Sequence, residues 1–455
     1  MQRFFYLFGL IVLFLISCDN NQTTIATSSE NRVGNFTFYK DTANIGLTEA
    51  IYKIEHLPDT GLIYSTDSLR YGTRLDSVVP HVTYKATPAS ATFFTPDTSI
   101  VSTGVDTLDF SKEPIYLLVQ SSDLEHKRWY RIKIHVHQAD PDLFVWKRMT
   151  PAIFAPQHCD MKAFFDGEKI QLFVNNGFET QLYQSIHGEE WEQVNSPIGL
   201  PTPCQVRDIL QHSDTLYYIA NDKLYTSTNY IDWVATDYSE KDFSLVNMLV
   251  VFDGLSWCIL QDRSTESLFL GVIRDGMIYP APTIVGLDNN VLPPNFPISD
   301  FASLSFQSSS ERPRAMIVGG RTIDGTPINT RWNIEYELSA GYRMVDFSIE
   351  QPNFQSLTGI SIIQYNQQLL MFGGIDNDLT YRSDILYSDD EGMHWYAPDT
   401  LHNRMPDTYV SRHKQSVVTD NQSNIYIIGG QSNNETFSDV YRGYLNQLKW
   451  ESEHE

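Results

Sequence analysis

The second half of the chain repeats one pattern of apolar strands and polar turns. "SIIQYNQQLLMFGG" (361–374) aligns with "SVVTDNQSNIYIIGG" (416–430), and a third copy ends "RAMIVGG" at Gly320. The glycine pairs at 319–320, 373–374 and 429–430 recur at intervals of 54 and 56 residues. Each copy reads as a strand, a polar turn and a second, almost wholly apolar strand. A recurrence of this length indicates a repeat architecture.

Earlier segments keep this plan without the double glycine, as in "MKAFFDGEKIQLFVNNG" and "NMLVVFDGLSWCILQD". Trp191, Trp233, Trp395 and Trp450 mark the other half of four units, each after a tyrosine-bearing strand and a polar stretch. Two buried strands and an outer hairpin per unit are typical of the four-stranded blade of a β-propeller. The sequence therefore predicts a six-bladed propeller over residues 145–455. Its units are 145–200, 201–240, 241–295, 296–350, 351–400 and 401–455.

The strand "FVWKRMT" around Trp146 resembles the strand that follows the tryptophan in a unit. We expect it to complete the final blade. Ahead of it, "QADPDLF" (138–144) reads as a linker.

The residues ahead of this linker show a different pattern of apolar and polar positions. "KRWYRIKIHVHQ" alternates apolar Tyr130, Ile132, Ile134 and Val136 with charged or polar neighbours, which is typical of a strand with one buried face. Short strands of this kind between turn residues predict an immunoglobulin-like β-sandwich over residues 34–138. The fold class expected for the chain is all-β, with this sandwich followed by the propeller.

Two propeller families resemble the repeat. The apolar strand ending in Gly-Gly, followed by a tyrosine and then a tryptophan, looks like the kelch repeats of the central domain of galactose oxidase. The hairpin "YSDDEGMHW" resembles the Asp-box of sialidase-type propellers, with Ser388, Asp390, Gly392 and Trp395 in the motif positions. Because shorter versions recur at Ser185–Trp191 and Ser227–Trp233, we interpret it as a structural hairpin rather than a catalytic site. In this interpretation Asp389, Glu391 and His394 point to solvent.

The N-terminus predicts export. Arg3 precedes an apolar run of thirteen residues from Phe4 to Ile16, the length of a signal-peptide core. "LISC" then matches the lipobox of bacterial lipoproteins, a resemblance that makes residues 1–18 the signal and Cys18 the lipid-bearing residue. Residues 19–33 are polar and read as a flexible tether. The whole plan resembles bacterial lipoproteins of unknown function, and we expect a lipid-anchored, extracytoplasmic protein of the cell envelope, at the outer membrane.

Charge and cysteine content exclude several classes. With 32 basic and 56 acidic residues the net charge is −24, so a phosphate backbone is repelled and nucleic acid is not an expected partner. Besides Cys18, only Cys159, Cys204 and Cys258 remain, without the paired spacing of a structural zinc site. A bond between Cys159 and Cys204 stays open at this point.

No local motif assigns a reaction. The Arg-Ile-Pro signature of sialidases is absent, and the copper site of galactose oxidase cannot be placed on this sequence residue by residue. We expect no cofactor and no metal. A glycosidase carboxylate pair leaves no local signature, so it stays open.

The propeller mouth is the expected place for function. The residues just ahead of the innermost strands gather at one end of the central channel, and a mixture of charges and imidazoles there can hold a sugar or a peptide. Aligning the units gives six candidates: His158, Asp160, Arg207, Asp300, Arg412 and His413. We favour a binding or scaffolding module for a glycan or protein, with a carbohydrate-active enzyme as the alternative.

Overall fold

The computed structural model describes residues 27–42, 44, 46–58, 60–138, 140–155, 159–397, 405–433 and 435–446. The predicted signal peptide with Cys18, most of the predicted tether, His158 and Trp450 lie outside these residues. The chain divides into two units, Met1–Pro141 and Asp142–Glu455. In the described part, no helix has the length and apolar character that a bilayer crossing requires.

The described residues of the first unit form eight strands and a single helical turn, α1 (Gly46–Glu49). Its strands are β1 (Val33–Phe38), β2 (Tyr52–His56), β3 (Thr60–Ser65), β4 (Pro80–Tyr84), β5 (Ser90–Phe94), β6 (Ser99–Val101), β7 (Ile115–Gln120) and β8 (Lys127–Lys133). β1 pairs with β4, and the other strands form one sheet in the order β2-β3-β8-β7-β5-β6. Only the β3–β8 pair of this described sheet is parallel.

Both sheets of the first unit contribute to one hydrophobic core. Phe36 and Phe38 of β1 pack in the same cluster as Phe93 of β5 and Leu117 of β7. The alternation predicted for β8 is present, because Tyr130 and Ile132 are buried in this core while Arg131 between them is exposed. Two sheets around one core agree with a layered β-domain.

In the part of the second unit that the structure describes there are six sheets, which we name A to F. Its strands are β9 (Phe144–Thr150), β10 (Asp160–Phe165), β11 (Ile170–Asn175), β12 (Thr180–Ser185), β13 (Glu192–Gln193), β14 (Leu210–His212), β15 (Thr215–Ala220), β16 (Lys223–Ser227), β17 (Val234–Asp237), β18 (Phe243–Phe252), β19 (Leu255–Asp262), β20 (Leu268–Arg274), β21 (Met277–Pro280), β22 (Ile284–Val285), β23 (Ala302–Gln307), β24 (Pro313–Val318), β25 (Arg331–Glu337), β26 (Gly341–Asp346), β27 (Ser361–Tyr365), β28 (Gln368–Phe372), β29 (Ile385–Ser388), β30 (Ser416–Thr419), β31 (Ile425–Ser432) and β32 (Glu435–Leu445). Two 3₁₀ helices, Val206–Asp208 and Asp288–Asn290, precede β14 and β23.

In sheets A, B, C and E, strands that follow one another in sequence are neighbours, whereas β22 in sheet D and β9 in sheet F pair with strands distant in sequence. Sheet A is β10–β13, sheet B β14–β17, sheet C β18–β21, sheet D β22-β26-β25-β24-β23, sheet E β27–β29 and sheet F β30-β31-β32-β9. β9 therefore joins the last sheet, as its sequence predicted: it pairs antiparallel with β32, with Trp146 opposite Gly443. The all-β prediction is confirmed.

The innermost strand of each sheet contacts the innermost strand, or the 3₁₀ helix ahead of it, in the next sheet along the chain. β10 contacts β30 and the 3₁₀ helix ahead of β14, and β14 contacts β18. β18 then contacts β23, β23 contacts β27, and β27 contacts β30. Apolar clusters fill the gaps between sheets, as where Trp395 of the sheet E hairpin packs in one cluster with Met316 and Val318 of sheet D.

The repeated glycine pairs lie where the next sheet approaches most closely. Gly373 and Gly374 have φ angles of 59° and 105°, in the left-handed region that favours glycine. A Cβ atom on Gly373 would lie 2.5 Å from the carbonyl oxygen of Arg412, just ahead of sheet F. The Gly374 N–H donates to that same carbonyl at 3.0 Å. The motif therefore allows two backbones to meet between sheets.

Candidate functional site

The inner strands of the second unit surround one cavity, which we call the axial cavity. Each of the six sheets, or the 3₁₀ helix ahead of it, contributes to the wall. The lining residues are Lys162, Arg207–Leu210, Met248–Leu249, Asp300–Ser303, Ile360–Ile362 and Gln415–Val417. The free space is about 100 Å³, below the roughly 300–1,000 Å³ of ordinary small-molecule sites. It has room for a few water molecules or the end of a larger ligand.

Four charged side chains face this small space: Lys162 on β10, Arg207 and Asp208 in the 3₁₀ helix, and Asp300 ahead of β23. Asp300 is paired, since its carboxylate lies 3.2 Å from Nε of Arg321. Among the described residues, the other three form no ion pair within 4.0 Å. Arg207 makes one long hydrogen bond, from Nη1 to the carbonyl oxygen of Gln415 at 3.4 Å.

These three groups are half-buried at the cavity wall, and their partial loss of water changes their proton affinity. Burial raises the pKa of Asp208 to about 6, although a hydrogen bond from Asn247 and the charge of Arg207 oppose the rise. Burial, together with the nearby Arg207, lowers the pKa of Lys162 to about 8. The pKa of Arg207 is also lowered, mainly by burial. Loss of water therefore outweighs the mutual attraction of these opposite charges, which is typical of groups kept for a ligand or a reaction.

Three of the six residues predicted at the mouth are close to one another. Arg207 and Asp300 line the axial cavity. Asp160, the first residue of β10, carries a carboxylate 3.9 Å from Nζ of Lys414 and interacts electrostatically with Arg207.

His413 lies near this group without lining the cavity. Its Nδ1 is buried and has no hydrogen-bond partner within the described part of the chain, and its ring is 5.4 Å from that of Tyr381. Burial, helped by Lys414 and Arg207, lowers the pKa of His413 to about 4, so the ring is neutral at pH 7.

Arg412 does not occupy the position predicted for it. Its side chain is fully buried and its Nη1 lies 2.6 Å from Oδ1 of Asp439. The guanidinium also packs on the rings of Phe437 at 4.2 Å and Tyr409 at 4.5 Å. The alignment placed Arg412 at the correct point of the repeat, but its side chain turns into sheet F, where a carboxylate neutralises it. It is not available to a ligand.

Two residues of the axial cavity were missed by the sequence analysis, Lys162 and Asp208. A signal for Lys162 exists, because it is a lone cation within the apolar strand "DMKAFF". Asp208 follows Arg207 directly in a segment that aligned with inner strands but folds as a 3₁₀ helix. The helix brings both side chains to the same cavity, which strand alternation would not do.

The hairpin that follows β29 is held by its own side chains, as its sequence predicted. The Gly392 N–H donates to Oγ of Ser388 at 2.8 Å, and the His394 N–H donates to Oδ1 of Asp390 at 2.9 Å. Gly392 has a φ angle of 86°, and Trp395 is 4% exposed. These residues stabilise a turn and anchor it to sheet D.

One part of the hairpin prediction was wrong. Glu391 and His394 were expected to point to solvent. Instead, a carboxylate oxygen of Glu391 lies 2.6 Å from Nη1 of Arg314 on sheet D, and His394 Nδ1 lies 2.6 Å from Asp390. Sequence alternation cannot show that a neighbouring sheet supplies an arginine here. Asp389 is exposed as expected.

The three remaining cysteines are buried thiols held in the protonated form. Cys159, Cys204 and Cys258 are free and buried, and burial raises the pKa of each thiol to about 12. They pack as small apolar side chains. The described residues also contain no group of three or more His, Cys, Asp or Glu side chains arranged to hold a metal ion.

Antiparallel sheets arranged around a shared axial cavity are the mark of the β-propeller class. A family model described as "DUF6242 beta propeller domain" matches residues 140–453, and a second, "Domain of unknown function (DUF6242) N-terminal domain", matches residues 17–134. The chain belongs to this DUF6242 family, and the predicted propeller is confirmed.

Solved structures add distant likenesses. One described as "Structure of YjhT" is 12% identical, covers 64% of this chain and 96% of that chain, and has a TM-score of 0.45. Another, "Streptogramin B lyase structure", is 13% identical, covers 67% and 98%, and has a TM-score of 0.32. No curated protein matches the chain. At these identities the likenesses say nothing about a ligand.

Proposed function

We propose that this protein is a lipid-anchored, extracytoplasmic binding lipoprotein of the outer membrane, whose axial cavity receives an acidic group of a glycan or protein partner. In this proposal Cys18 carries the lipid, residues 34–138 form an immunoglobulin-like sandwich, and sheets A to F are the blades of a six-bladed propeller with kelch and Asp-box features. The lipobox supports the anchor. The sequential contacts of the inner strands support six blades.

A single observation carries the binding role: three charged side chains without ion-pair partners face one small space. All three are half-buried, and leaving partly dehydrated charges without ion-pair partners is unfavourable, so this arrangement favours an occupant that completes their interactions. The charges of Asp300 and Arg321 offset each other. Of the remaining charges, the two cations Lys162 and Arg207 outnumber the anion Asp208. The cavity therefore has a net positive charge, which favours an anionic group.

The size of the cavity defines how much of a ligand enters. A volume of about 100 Å³ accommodates a carboxylate and the atoms next to it, while the rest of the ligand stays outside. Acidic sugars and acidic side chains both present such a group. The anion also favours protonation of Asp208, so binding strengthens as the pH falls from 8 towards 6.

The test is an array of acidic and neutral glycans, together with acidic peptides, probed with the protein from residue 32 onward. We expect selective binding of acid-bearing ligands and a loss of at least about tenfold in affinity in the Lys162→Met and Arg207→Met variants. Lys169→Met removes an equal charge from a half-buried position at the end of the turn between β10 and β11, outside the axial cavity, and should have no effect. Retention of all acidic ligands by both cavity variants would refute the proposal.

A glycosidase is the second candidate, because Asp208 and Asp300 line the same cavity and a carboxyl with a pKa of about 6 is suited to donate a proton. The small volume argues against a sugar ring between them. Sugar release from the same array, abolished by Asp208→Asn, would establish the enzyme and overturn binding alone.

The anchor has its own test. Replacing Cys18 with alanine should release the protein from the membrane fraction, measured by fractionation and by incorporation of labelled fatty acid. Membrane retention of the alanine variant would show that another segment attaches the protein.

A further inference from the structure

A second cavity lies away from the axis, between the outer strands of sheet D and the hairpin of sheet E. We call it the hairpin pocket. Its volume is about 440 Å³, within the roughly 300–1,000 Å³ of small-molecule sites. Its wall includes Arg314, Asn333, Glu335, Phe347, Glu391 and Met393. It is therefore more than four times as large as the axial cavity.

The hairpin pocket contains a buried amide that the protein leaves without partners. Asn333 is 1% exposed, and neither its Nδ2 nor its Oδ1 forms a hydrogen bond within the described chain. It lies on β25 opposite Met316 of β24, and Met316 contacts the hairpin at Gly392. Cross-strand neighbours share a face of a sheet, so Asn333 faces the hairpin. An unsatisfied buried amide is costly, which makes this position exceptional.

The charged groups around Asn333 are, in contrast, already engaged. Arg314 pairs with Glu391 at 2.6 Å and with Glu335 at 3.3 Å, and Arg343 lies 3.5 Å from Glu335. Only Nε of Arg314 lacks a partner among the described residues of this ion-pair network. The wall holds four carboxylates and two guanidinium groups, so an anion is repelled. The polar atoms that still lack hydrogen-bond partners therefore require neutral donors and acceptors from a ligand.

We propose that the hairpin pocket binds a neutral carbohydrate. A sugar hydroxyl is both donor and acceptor, so two adjacent hydroxyls satisfy Nδ2 and Oδ1 of Asn333 together. One of them also accepts from Nε of Arg314, and the engaged carboxylates retain free lone pairs for other hydroxyls. Phe347 and Met393 provide an apolar surface for the C–H face of the ring. This site is independent of the anion proposed for the axial cavity.

The test is saturation-transfer NMR on the full mature protein with galactose, mannose, N-acetylglucosamine, lactose and cellobiose, and with glucuronate as the acidic comparison. We expect transfer to at least one neutral sugar, with a Kd of about 1 mM or tighter. Asn333→Leu and Asn333→Asp should each weaken it by roughly tenfold or more. The aspartate keeps the side-chain size, so it remains informative if the leucine variant does not fold.

Asn175→Leu is the matched control. Asn175 on sheet A is also buried, but it donates to Oγ1 of Thr180 at 2.7 Å and accepts from the Gly177 N–H at 2.8 Å. Its replacement should leave sugar binding unchanged, as should Lys162→Met, which separates this site from the axial cavity. Absence of transfer from all five neutral sugars, or unchanged transfer in both Asn333 variants, would overturn the proposal.

Discussion

The axial cavity and the surroundings of Arg412 each hold a guanidinium group, half-buried in the first and fully buried in the second, with opposite outcomes. Arg412 is fully buried but has a carboxylate at 2.6 Å, a carbonyl of Gly429 at 3.0 Å and two aromatic rings within 4.5 Å. Arg207 has one long hydrogen bond and no ion pair within the described chain. The first arrangement is complete and holds sheet F together. Arg207 lacks such a set of partners within the protein. This difference distinguishes a residue placed for a ligand from one that only stabilises the fold.

The largest expected effect is at Arg412. Arg412→Met leaves Asp439 buried with only the more distant Arg148 at 3.3 Å, and should lower the free energy of unfolding by about 3–5 kcal/mol. Arg207→Met, the matched change in the axial cavity, should cause little loss. Urea denaturation of both variants at pH 7, followed by tryptophan fluorescence, makes the comparison. Equal losses would show that Arg207 is also a structural residue.

A smaller effect is expected at the hairpin of sheet E, where the polar groups are also paired. Ser388→Ala removes the acceptor of the Gly392 N–H and should reduce stability by about 1–3 kcal/mol. Ser185→Ala should behave alike, because Ser185 Oγ accepts from the Gly188 N–H at 2.9 Å in sheet A. Asp389→Asn at the exposed hairpin tip is the control. Destabilisation by the control alone would contradict a role for the serines.

Replacing Asp208 should have the opposite effect and increase the free energy of unfolding at neutral pH. Its folded pKa of about 6 is above the ordinary value of an aspartate, so the folded protein binds the proton more tightly than the unfolded chain and loses stability as the pH rises from about 4 to 6. Asp208→Asn removes this loss. We expect the variant to be more stable than the parent at pH 7, by on the order of 1–3 kcal/mol, and equal to it below pH 4. A parent that is more stable at pH 7 would show that Asp208 is satisfied within the protein.

The smallest effect is expected at the exposed ion pair between Lys147 of β9 and Glu189 of the sheet A hairpin. Their charged atoms are 3.1 Å apart, but both side chains are more than half exposed. Glu189→Gln should change the free energy of unfolding by less than about 0.5 kcal/mol in urea denaturation. A larger loss would mean that exposed pairs, and not only buried ones, hold the sheets together.

Much of the fold could be predicted because its determinants are local. The glycine pairs recur since each must take left-handed angles where the next sheet meets it. The serine and tryptophan of the hairpins recur since each turn needs an internal acceptor and a buried anchor. Even the role of β9 was visible, because its sequence resembles strands in the same position of other units.

The sites were less predictable, because they depend on which side chains arrive from other sheets. Arg207 was identified by its place in the repeat, but that same place gave Arg412, whose partner Asp439 lies 27 residues further along the chain. Lys162 is the lone cation of β10, "DMKAFF", whereas Asn333 lies in β25, "RWNIEYE", which also carries an arginine and two glutamates. Whether such residues find hydrogen-bond or ion-pair partners depends on the side chains of the neighbouring sheet. A single sequence does not contain that information.

The pairing of β9 with β32 has a consequence for the order of folding. The two strands are joined by about 300 residues of chain, so their contact is among the last that loop-closure entropy permits. Sheets A to E can form from neighbouring segments as these become available, whereas sheet F waits for both ends of the domain. A chain emerging gradually would leave β9 without its partner until the final strand arrived. Trp146, which packs against Gly443, would then report the pairing of β9 with β32 by its fluorescence.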